Sequence, residues 1–141
     1  MGREAASTSS ERLGRRNLSI PARLERLRDV RAFADRASLD AGFGDRARYE
    51  IKLAVNEAVT NAIRHGSASA DDLVELAIRE EDGRLVFCVA DTGMFVHRFE
   101  FPRDLPERGR GLGFIAELMD GLEVRPDYEG TTICFSKRAV R

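Results

Sequence analysis

A chain of 141 residues fits one domain, and at this size roughly two-thirds of the unfolded-chain surface is buried without metal or disulfide staples. Hydrophobic residues make up 43% and charged residues 33%, with a net charge of −1. That profile excludes a disordered chain, and it supplies no global field for direct nucleic-acid or membrane binding.

Residues 1–16 are rich in Ser, Arg, Glu and Gly without periodicity and read as a mobile tail, leaving 17–141 as the domain. Asn17-Leu18-Ser19-Ile20 suggests a short edge strand, with Pro21 at the first position of a helix. From 22 to about 41, Leu24, Leu27, Val30, Ala34 and Ala37 recur at helical spacing until Gly42 and Gly44 break the pattern. Asp45 is the expected N-cap of a second helix that runs to His65 and is stopped by Gly66. The period then changes: 73–80 and 84–91 read as strands around a tight turn at Asp82-Gly83. Residues 92–108, with Pro102 and Pro106, read as a long loop of the kind that serves as a lid. A third helix over 111–120 and a final hairpin of 122–125 and 131–137 complete the chain.

This order does not alternate as βαβ units. It predicts an α+β fold: a two-layer α/β sandwich, with a mixed, mainly antiparallel sheet and helices on one face. Cys88 and Cys134 lie in apolar, strand-like runs and are expected to be reduced, buried thiols. The two Cys and two His are too dispersed for a metal cluster. No apolar run reaches the length of a membrane span or a signal-peptide core, so a cytoplasmic location is expected.

Three short motifs carry the chemistry. The first is Asn56-Glu57-Ala58-Val59-Thr60-Asn61-Ala62 on the second helix. Four residues advance about 400°, so Glu57 and Asn61 point nearly the same way, on the flank of the apolar stripe Ile51, Val55, Ala58, Val59 and Ala62. There a Glu can act as a general base and an Asn carbonyl can ligate Mg²⁺; an ordinary polar pair one turn apart is the competing reading. The second motif is Asp91-Thr92-Gly93 at a strand end. Asp91 can accept a hydrogen bond from an exocyclic amine such as adenine N6, and Gly93 leaves room for a flat base; a simple turn is the alternative. The third is Gly109-Arg110-Gly111-Leu112-Gly113 at the expected start of the third helix. Glycines there expose N–H groups to an anion such as a triphosphate, and Arg108 and Arg110 can add cationic contacts; a flexible hinge is the alternative.

Together these motifs resemble the GHKL ATPase superfamily, which shares the Bergerat ATP-binding fold. They are most similar to the small anti-sigma factor and serine-protein kinases of the RsbW type, over about residues 17–138. The resemblance implies that Glu57 is the general base, Asn61 the Mg²⁺ ligand and Asp91 the adenine reader. It implies that Gly93 lets the base pack, that the 109–113 segment, Gly111 and Gly113 above all, holds phosphates, and that Thr132 lies near adenine on a late strand. It further implies ATP and Mg²⁺ as cofactors, a STAS-type anti-sigma factor antagonist as phosphoacceptor, a sigma factor as sequestered partner, and a homodimer through the first strand and helix. Two departures stand out: Phe95 replaces the second glycine of the fuller Asp-x-Gly-x-Gly pattern, and the arginine that reaches the γ-phosphate is left open. A partner-switch module that binds ATP without catalysis, or a kinase serving another signalling pathway, remain alternative functions.

Overall fold

A computed structural model of the chain describes residues 14–65, 67, 69–91, 105–127 and 130–139, and of 105–110 and 126–127 the backbone alone. Strand β1 (Arg15–Pro21) leads through a single 3₁₀ turn (Leu24–Arg26) into helices α1 (Leu27–Asp40) and α2 (Asp45–His65). The hairpin β2 (Leu73–Glu81) and β3 (Arg84–Asp91) follows, then helix α3 (Leu105–Leu118), then β4 (Gly121–Asp127) and β5 (Gly130–Arg138). The strands form one sheet in the order β1-β2-β3-β5-β4. All four pairings are antiparallel, so no parallel pair is present among the described strands.

Strand alternation decides which face is covered. In β3, Leu85, Phe87, Val89 and Asp91 are buried, while Val86, Cys88 and Ala90 between them are half-buried on the open face. Phe87 pairs with Phe135 of β5, and their rings stack with centroids 5.6 Å apart. Onto this face pack Val30, Ala34 and Ala37 of α1, the full predicted stripe of α2, and Ile115 of α3. The tight β2–β3 turn forms because Asp82 and Gly83 both take positive φ, 51° and 78°. The two long helices are clamped by Arg48, whose Nε and Nη2 each donate to the Asp35 carboxylate at 3.1 Å.

Several boundaries differ from the sequence reading. Arg15 and Arg16, assigned to the tail, belong to β1, while residues 1–13 lie outside the described residues. Pro21 stays in the strand instead of opening a helix, and the N–H of Ala22 donates to Asp72 O at 2.9 Å. Gly44, not Asp45, caps α2, since its carbonyl accepts from the Arg48 N–H at 3.0 Å. The two cysteines are not thiols: Cys88 and Cys134 are direct partners on β3 and β5, with Cα atoms 4.0 Å apart, and form a disulfide. The insertion of β5 between β3 and β4 brings them together across 46 residues of sequence.

Candidate nucleotide site

Helix α2 owes its position to Ile51, Ala54, Val55, Ala58 and Val59, all 0% exposed. That burial rotates Glu57 and Asn61 to the edge of the core, where both are half-buried. Helix α3 lies directly against them. A Cβ built on Gly111 would come within 2.7 Å of Glu57 Oε2 and 3.0 Å of Asn61 Nδ2. The absence of a side chain at 111 is therefore what lets the third motif meet the first. Thr60, between the pair, turns its hydroxyl back to Asn56 O at 2.7 Å and stays out of the contact.

The second cluster forms where β3 ends. Asp91 is 9% exposed, one of three buried polar residues among those described, with Ser38 and Ser136. Gly130 opens β5 with φ +147°, and a Cβ there would lie 2.6 Å from Asp91 Oδ1. A residue with a side chain would collide with the carboxylate. Asp91 shares the helix-covered face with Val89 and Phe87, so both clusters lie on one side of the sheet.

Residues 20–137 match the histidine kinase-like ATPase domain family. The chain belongs to this family. As a member of this ATPase domain family, it uses ATP. The chain is 32% identical over 144 residues to the serine-protein kinase RsbW of Bacillus thuringiensis (strain Al Hakam), covering 90% of this chain and 86% of the relative. It is 33% identical over 145 residues to the serine-protein kinase RsbW of Bacillus cereus (strain AH187), with the same coverage. The crystal structure of the RsbU and RsbW domains of Rv1364c from Mycobacterium tuberculosis superposes with a TM-score of 0.68 at 24% identity, over 89% of this chain and 33% of that one. The histidine kinase domain of a blue-light activated kinase from Erythrobacter litoralis superposes with a TM-score of 0.54 at 22% identity, over 84% of this chain and 61% of that one. These two likenesses show the fold.

Within the ATPase domain, the structure brings together Glu57, Asn61 and Gly111, and separately Asp91 and Gly130. Gly93 and the rest of 92–104 lie outside the described residues, as do the side chains of Arg108 and Arg110. The glycine segment is placed differently from expectation. Helix α3 begins at Leu105, so Gly109, Gly111, Leu112 and Gly113 sit inside it and not at its start. Their N–H groups fall within the helical ladder, and the free helix end moves to the first turn, where Pro106 lacks an N–H. Leu112 packs against the core.

Thr132 is also displaced from its expected place. It pairs with Ala90, so its side chain is on the open face with Cys88 and Cys134. Alternation puts Thr131 on the same face as Ile133, Phe135 and Asp91. Two adjacent threonines in an apolar strand carry no parity signal in sequence; only the register distinguishes them. Gly130 carries no signal in sequence either, because it acts on Asp91, a partner distant in the chain.

Proposed function

We propose that this protein is an ATP-dependent serine/threonine-protein kinase and anti-sigma factor of the RsbW type. In this reading it phosphorylates a STAS-type antagonist in the cytoplasm and holds a sigma factor inactive, with residues 17–141 as the working domain. What carries the proposal is the packing of Gly111 against both Glu57 and Asn61, which joins a carboxylate, an amide and the glycine segment in one place. The Glu57 carboxylate takes the proton of the attacking hydroxyl as that oxygen bonds to the γ-phosphorus of ATP, while the bond from the γ-phosphorus to the bridging oxygen breaks and ADP leaves. Asp91 holds the adenine amine, and the packing partner on β5 is Thr131 in place of Thr132. The donor set suits Mg²⁺, a hard cation that takes a few protein oxygens and keeps its other positions for water and phosphate. Asn61 holds it, and when bound it supplies neutralisation of phosphate charge. A homodimer through β1 and α1 belongs to the same reading; Val30 is committed to the protomer's own core, whereas Leu24 is 43% exposed.

Substitution of Glu57 by Gln tests the role of the base. ATP binding persists and transfer slows by about 10²–10⁴-fold, the usual worth of a general base. Wild-type transfer rates in Glu57→Gln would remove Glu57 from the chemistry.

A further inference from the structure

Helices α2 and α3 meet at two polar points. At the first, Gly111 lies against Glu57 and Asn61. The second lies seven residues onward in α3 and seven residues back in α2, about two helical turns away on each. There Lys137 of β5 donates from Nζ to the Leu118 carbonyl at 2.5 Å and to Glu50 Oε1 at 2.6 Å. The matched spacing means the helices run antiparallel and in step.

Lys137 is well placed to hold them so. Leu118 is the last residue of α3, and its carbonyl has no partner within the helix. A cation at this end also opposes the helix dipole. The Lys137 side chain is 13% exposed and that of Glu50 23%, so the pair is largely screened from water. Lys137 holds the Glu50 carboxyl below its ordinary range, and Arg46 assists. Between the two polar points lie Ala54 of α2 and Ile115 of α3, both at 0% exposure. Apolar burial is non-directional, whereas the Lys137 bonds have fixed partners and distances. Two further bonds, Asp120 N–H to Ser136 O at 2.8 Å and Arg138 N–H to Asp120 Oδ2 at 2.6 Å, tie the chain after α3 to β5. Neither reaches α2.

We propose that Lys137 and Glu50 are positioning residues that set the axial register of α3 against α2, and so hold Gly111 over Glu57 and Asn61. The kinase consequence rests on the function proposed above; the register itself does not. The test compares wild type with Lys137→Met, Lys137→Arg and Glu50→Gln. Three quantities are read: phosphoryl-transfer kcat and KM for ATP, amide hydrogen exchange of α3, and the melting temperature. In Lys137→Met, kcat falls about tenfold with KM for ATP within about threefold, as expected when a catalytic group is displaced by a fraction of an ångström. The α3 amides exchange about tenfold faster while the β2–β3 hairpin is unchanged. Lys137→Arg restores most of kcat. A lowered melting temperature with wild-type kcat and unchanged α3 exchange would overturn the inference, as would uniform acceleration of exchange across the domain. If Lys137→Met does not fold, Glu50→Gln carries the same comparison with the Leu118 bond intact. If wild type transfers no phosphate, the proposed function fails, and α3 exchange alone decides the register.

Discussion

Substitution of Gly111 by Ala separates stability from chemistry at the contact on which the site depends. Gly111 is inside α3, where Ala is favoured over Gly by about 1 kcal/mol. Against that, the new Cβ would lie 2.7 Å from Glu57 Oε2, about 0.7 Å inside ordinary contact, and 3.0 Å from Asn61 Nδ2. Both atoms are at the ends of side chains, so rotation relieves the clash at about 0.5–1.5 kcal/mol of rotamer strain. The two terms nearly cancel, and folding stability is expected to change by less than about 1 kcal/mol, or about 4 °C in melting temperature. The carboxylate is nevertheless displaced, and a misplacement of this order lowers transfer by about 10²-fold. The assay pairs a thermal melt with transfer of labelled phosphate from ATP to the antagonist protein. Gly113→Ala calibrates the melt: nothing lies within 4 Å of its Cβ, so the helical gain is realised in full. Transfer by Gly111→Ala within about threefold of wild type would refute the reasoning.

Other outcomes follow from particular contacts. Thr131→Val weakens ATP binding more than Thr132→Val, as read by calorimetry, because alternation puts only Thr131 on the Asp91 face; the reverse order would mean a different register. Reduction of Cys88–Cys134, which closes a loop with a sequence separation of 46, lowers stability by about 2–4 kcal/mol, checked by urea melts with and without dithiothreitol. Asp35, Asp40 and Glu50 are held below their ordinary carboxylate range, first by hydrogen bonds from Arg48, Arg16 and Lys137 respectively. A lowered folded-state pKa contributes stability that is present above the unfolded value and is lost as pH falls through the folded value. The urea midpoint is therefore expected to hold from about pH 8 to pH 5 and to fall below about pH 4, with a shallower acid limb in Arg48→Met.

Much of the fold was legible locally. Helix α2 was expected to follow an N-cap at Asp45 and run to about His65, and it stands at Asp45–His65, one residue longer at its start; β3 was expected from Arg84 to Asp91 and stands at those bounds. Their signals are strong because periodicity and stop residues agree over many positions. The start of α3 was not legible: Pro106 and the glycines argue against a helix on propensity alone, and Gly111 is tolerated there because it packs closely on α2. The site divides in the same way. Glu57 beside Asn61 follows from the helical period, and Asp91 at a strand end follows from alternation and length.

Which residues meet across elements depended on tertiary structure. The order β3-β5-β4 opposes Cys88 to Cys134, turns Thr132 away from the site and Thr131 toward it, and carries Lys137 to the end of α3. The sequence alone determined the periods, the turns and the identity of the chemical groups, because these depend on neighbours within a turn or two of the chain. Strand parity and helix register are set by contacts between residues far apart in sequence, so only the packed structure could decide them.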